Sequence, residues 1–162
     1  MFNILAFSLL WKWANMRYLI ISVCMLVACT SASAQCFDAR GIPVAEIPNY
    51  QLNDIAQANL MPNGAPVIFF NPNVIVNFSF PTRLFFTFHE CAHHVLGHAL
   101  GRLVMNMEQE ADCWAIRTIV SRQMISDQQL QMIQSELYTF GPGDWTHLPG
   151  PQRAINLQAC LQ

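Results

Sequence analysis

An α+β domain, mostly helical with one small β-sheet, is what the sequence predicts for residues 35–162. Three observations predict it. Apolar residues recur every three or four positions through most of the C-terminal half; two short β-branched and aromatic runs precede them; and about 128 residues suffice for one core but not for two domains.

The first 34 residues are set apart. From Met16, a second possible start after Met1, the chain reads as a positive residue (Arg17), an apolar core over 18–28 and the small-residue end Ala32-Ser33-Ala34, the pattern of a secretory signal peptide. The apolar run is shorter than the roughly 20 residues a membrane span needs. Cleavage after Ala34 is favoured. The rival is a lipobox, Leu26-Val27-Ala28-Cys29, which would leave a lipid-anchored protein acylated at Cys29. Either route places the domain outside the cytoplasm, in the periplasm or the extracellular space.

Residues 51–60 have apolar side chains at 52, 55, 56 and 60, a helical spacing that the Pro62-Asn63-Gly64 turn ends. Residues 67–70 and 74–80, divided by Asn71-Pro72-Asn73, read as two hairpin-like strands. A long helix starting at Pro81-Thr82 carries Leu84, Phe85, Phe88, Ala92, Val95 and Leu100 up to Gly101. Helices over 106–123, from Ser126-Asp127 to Gly141, and over 151–160 complete the order, with the sheet placed on the first two long helices.

Ten acids and six bases, all arginine, leave residues 35–162 acidic, with no basic stripe, and nucleic-acid partners are excluded. Cys36, Cys91, Cys113 and Cys160 are an even number in a small exported domain and imply two disulfides, for which three pairings are possible. Cys91 lies on the back of its helix, which favours Cys36–Cys91 with Cys113–Cys160 over a Cys91–Cys113 bond.

The most informative segment is His89-Glu90-Cys91-Ala92-His93. On a helix the two imidazoles are about 40° apart and can converge on one ion, with a carboxylate at the rim of the same face: the HExxH pattern of zinc hydrolases. Such a site takes three protein ligands and a water, so a third donor is required. On a continuous helix His98 is about 180° from His89 and out of reach, and it is read with His94 as a helix-end or buried histidine. In Glu108-Gln109-Glu110-Ala111-Asp112 the two glutamates are about 200° apart, so only one can be the ligand. Glu108 is favoured because Asp112 shares its face and can fix a ligand imidazole; Glu110 suits the positive start of the helix.

With these segments the chain resembles the gluzincin zinc metallopeptidases, closest to the HtpX-like and CAAX-prenyl-protease-like family, which pairs HExxH with ExxAD. The segment from His147-Leu148-Pro149 to Arg153-Ala154-Ile155 is similar to that family's C-terminal motif. The resemblance implies a minimal exported zincin-like domain with Zn2+ held by His89, His93 and Glu108. It implies Glu90 as general base, His147 as an active-site helper, Asp112 and Arg153 as supports, and an exposed strand within 67–80 that aligns an extended peptide. Family membrane helices are missing. The expected activity is a zinc endopeptidase acting on a peptide or protein; the alternatives are a non-enzymatic zinc-binding envelope protein, or a zinc amidase acting on cell-wall peptides.

Overall fold

An isolated antiparallel bridge between Phe37 and Pro43 precedes the first strand, which starts at Ala45. The computed structural model describes residues 36–102, 104–143 and 147–162; the expected leader, with Met16 and Cys29, lies outside them. Strand β1 (Ala45–Pro48) runs parallel to β3 (Pro66–Phe70), with Ala45 opposite Val67, and β2 (Ala56–Leu60) runs antiparallel to β3, with Ala56 opposite Phe70. The order β1-β3-β2 makes β3 the centre of a mixed sheet. It is also the most apolar strand, and Val67 and Ile68 are fully buried.

Two sequence expectations fail here. Residues 51–60 are not a helix: they bend and then form β2, which turns at Pro62-Asn63-Gly64 into β3, with the Met61 N–H donating to Ala65 O at 2.9 Å. Ala56, Ala58 and Leu60 alternate with the exposed Gln57 and Asn59. That two-residue period was a strand signal, and pairing with β3 overrides a helical spacing carried by only four apolar residues.

Residues 74–80 are not a strand either. Asn71-Pro72 starts the single-turn helix α1 (Pro72–Ile75): the Asn71 side chain accepts from the Asn73 N–H, and proline occupies the first turn, where no backbone donor is needed. The hairpin is therefore β2–β3, and both sides of β3 are paired.

Helix α2 (Phe80–Val95) begins at Ser79 with Pro81 in its first turn. It stops at Val95, earlier than expected, because Gly97 adopts φ 80° and turns the chain into a 3-10 turn, His98–Leu100. Such a conformation is costly for residues other than glycine. Helix α3 (Met107–Ser121) lies along α2, with Ala111 and Ala115 fully buried. Helix α4 (Asp127–Tyr138) starts with a capping box between Ser126 and Gln129, and α5 (Gly150–Cys160) closes the fold against α3 and α4.

The main core joins Phe85, Phe86 and Phe88 of α2 to Ile116 and Ile119 of α3, Ile133 and Leu137 of α4 and Leu157 of α5. A smaller cluster of Cys36, Ala56, Ile68 and Cys91, with Trp114 against it, fastens the sheet to α2. The expected placement of the sheet on both long helices thus reduces to α2, with Trp114 as the reach from α3. Disulfides join Cys36 to Cys91 and Cys113 to Cys160, with Cα atoms 5.8 and 5.1 Å apart, the pairing expected from the helical angles. Residues 35–162 form one compact unit, and no described helix is long and apolar enough to cross a membrane.

Candidate metal centre

Helix α2 presents His89 and His93 to α3, which returns Glu108 and Asp112 from its first two turns, while Glu90 turns toward β2. The Nε2 atoms of His89 and His93 are 3.1 Å apart, and Glu108 Oε2 lies 3.2 Å from the first and 3.5 Å from the second. Donors bound to one tetrahedral ion at 2.0–2.1 Å would be separated by about 3.3 Å. The three spacings match that edge, and His89, His93 and Glu108 could hold a metal ion.

Tautomers support the same assignment. His89 Nδ1 lies 2.8 Å from Asp112 Oδ1; a carboxylate only accepts, so the ring proton of neutral His89 belongs on Nδ1 and its Nε2 lone pair points at the other donors. Asp112 is itself gripped by Arg153, whose Nε lies 2.9 Å and Nη2 2.6 Å from its two oxygens. All three side chains are buried. The two supports named from sequence therefore form one chain, Arg153 to Asp112 to His89.

The electrostatics follow from this crowding. Burial alone would lower the His89 pKa, but the hydrogen bonds to Asp112 and Glu108 outweigh it and push it up to about 10. Burial alone would raise Asp112; His89 and Arg153 bring it down to about 2. For Glu108 burial is likewise overcome, by His147, His89 and His93, and its carboxyl falls far below the usual range. The carboxylates therefore stay ionised and favour a positive charge at the convergence point, which a proton or a metal ion can supply.

His147, just before α5, places Nε2 3.0 Å from Glu108 Oε2, and that hydrogen bond raises its pKa against the effect of burial. It stands beside the third donor rather than among the three. Glu90 is fixed differently. Its Oε2 accepts the Ala58 N–H of β2 at 2.6 Å, while Oε1 lies 4.0 Å from His89 Nε2.

Glu110 points away from the donors: its Oε2 is 3.3 Å from His98 Nε2, so the geometry selects Glu108 over Glu110. His98 Nδ1 in turn touches His93 Nδ1 at 3.1 Å, a neighbour the sequence reading missed by continuing the helix past Gly97. The glycines on either side of the 3-10 turn, Gly97 and Gly101, were the available signal. His94 is buried as expected, its Nε2 3.0 Å from Val67 O.

A cleft of about 310 Å³ opens on His89, Glu90, His147 and Arg153, with Ile55, Phe86, Phe140 and Leu148 as apolar wall. The strand beside it is β2, not one within residues 67–80. Asn71 N donates to Ile55 O and Met61 N to Ala65 O, so the odd-numbered residues of this segment pair toward β3, and the backbone groups of Ala56, Ala58 and Leu60 face the other edge. Comparison with family models, curated proteins and solved structures returns no match, so the site rests on its own geometry.

Proposed function

We propose that the domain is an exported zinc-dependent endopeptidase of the gluzincin type, similar in its motifs to the HtpX-like and CAAX-prenyl-protease-like peptidases in a minimal zincin-like form. The observation that carries this reading is a three-donor set with tetrahedral spacing beside a buried carboxylate, with His89 of that set and the carboxylate both lining one cleft. A structural zinc site would take four protein donors and has no use for an adjacent base. Zinc held by His89, His93 and Glu108 would supply Lewis acidity and a bound water acidic enough to lose a proton near neutral pH.

The chain's own residues do the rest. Glu90 Oε1 takes the proton from the attacking water and delivers it to the nitrogen of the departing amine. Ala58 holds the other carboxylate oxygen, so the base is oriented before substrate arrives. His147, at the cleft wall, donates from its ring to the carbonyl oxygen as negative charge develops there. The outward backbone groups of β2 other than the Ala58 N–H, which Glu90 occupies, align an extended peptide by strand addition, and the apolar wall takes one of its side chains. The two disulfides suit an oxidising compartment and support export.

The decisive comparison incubates the purified protein and its Glu90→Gln form with an envelope extract. Equal zinc contents, with new fragments in the wild-type sample alone and a 10²–10⁴-fold loss on a casein-type substrate, are expected. Undiminished hydrolysis by Glu90→Gln would remove Glu90 as the base. Cleavage confined to cell-wall peptides would move the substrate class to that of an amidase.

A further inference from the structure

An imidazole that binds a metal through one nitrogen is steered by whatever holds the other, and a loss at that position costs affinity although no ligand is removed. For His89 the steering group is Asp112. For His93 it is a second histidine: His98 Nδ1 lies 3.1 Å from His93 Nδ1, with the ring centroids 5.2 Å apart and His98 only 6% exposed. Two ring nitrogens at that distance share one proton, carried by one ring and accepted by the other.

His93 Nε2 faces His89 Nε2 and Glu108 Oε2, so its lone pair must be free there for a cation to bind. The proton of a neutral His93 then sits on Nδ1, and His98 Nδ1 must accept it. His98 consequently carries its own proton on Nε2, which lies 3.3 Å from Glu110 Oε2, an acceptor; Arg102 Nη1 approaches the same oxygen at 3.5 Å. The reverse order fails at both ends. It would place a proton among the metal donors and turn a bare His98 nitrogen toward a carboxylate.

Chain geometry makes this possible only because α2 stops at Val95 and Gly97 turns back at φ 80°. We infer that His98, held by Glu110, is the positioning residue that keeps His93 in its metal-binding tautomer. The inference rests on the reading of His89, His93 and Glu108 as a metal site. Glu110 thus serves the site from outside it, two residues after the donor Glu108.

The test measures zinc affinity of the purified protein by competition with a chromophoric chelator, and ring protonation by long-range proton–nitrogen correlation spectra of the zinc-loaded wild type. His98→Ala should weaken zinc binding by about 10–100-fold. His98→Asn, whose Oδ1 can stand where Nδ1 stood, should restore most of that loss. Glu110→Lys, which offers a donor where His98 needs an acceptor, should weaken binding as well. The spectra should show His93 protonated on Nδ1 and His98 on Nε2. Unchanged affinity in His98→Ala, or a His98 proton on Nδ1, would overturn the inference while leaving the metal site standing. If instead the wild type takes up no zinc, or His89→Ala binds it equally well, the metal reading itself falls, and this inference with it. Should His98→Ala fail to fold, the wild-type spectra still decide.

Discussion

At Asp112 two demands meet in one carboxylate: it must fix a ligand imidazole and neutralise a buried arginine. Replacing it by alanine would leave Arg153 charged and without its partner, a loss of about 3–5 kcal/mol in unfolding free energy, read from denaturant titration. The same residues set a pH dependence. Asp112, held at about 2 against an ordinary 3.8, contributes stability that is present above pH 3.8 and lost as pH falls toward 2. His89, raised from 6.5 to about 10, contributes stability that is full below pH 6.5 and lost as pH climbs through 10. Stripped by a chelator, the protein should therefore melt highest between about pH 4 and 6.5 and lose Tm toward pH 10. If the proposed zinc site holds, zinc in excess should counter that loss on the alkaline side: binding would displace the proton from His89 Nε2, so the Tm gain from zinc should grow between pH 6 and 9. Thermal scans with and without chelator check both halves. Sequence alone named His89, Glu90, His93, Glu108 and Asp112, because the spacing within one helix fixes which side chains share a face.

Among the elements, β2 does more than its length suggests. It ends the sheet beside the cleft and supplies the N–H that orients Glu90. Because that N–H points away from β3, Ala58→Pro should leave the sheet ladder intact and zinc bound, yet free the Glu90 carboxylate. Hydrolysis should fall at least tenfold with little change in Tm; a large fall in Tm would mean the ladder was broken instead. The start of α5 is equally constrained. A Cβ on Gly150 would meet Leu137 O in the last turn of α4, and would lie 2.6 Å from Phe140 Cβ, just past that helix. Gly150→Ala should then cost about 1–3 kcal/mol, by denaturant titration, and shift His147, three residues earlier, away from Glu108. The helices α3, α4 and α5 were legible from their caps and apolar stripes. Strand β2 and turn α1 were not, because each is short and takes its form from a partner: β3 for the strand, the Asn71 cap and the Phe78 contacts with Phe86 and Phe140 for the turn.

At the scale of the described domain, the disulfides tie together segments distant in sequence from within the two cores. Cys36–Cys91 ties the N-terminal segment to the back of α2, and Cys113–Cys160 ties the last turn of α5 to α3, away from the metal donors. They close spans of 55 and 47 residues, for which chain entropy predicts up to about 4 kcal/mol each. Removing one bond by paired Cys→Ala changes should lower Tm while preserving zinc stoichiometry, measured as metal per chain; loss of zinc in a folded variant would make that bond part of the site. The sequence by itself determined the histidine pair with the carboxylate beside it, the acidic character and the even set of cysteines, since those follow from residue identity and the fixed 100° step of a helix. Only the tertiary structure decided that Glu108 rather than Glu110 meets the histidines, that His98 turns back onto His93, and that β2 forms the edge at the cleft. Each of these depends on where one element stops and another passes, and so on backbone turns and contacts between residues far apart in the chain.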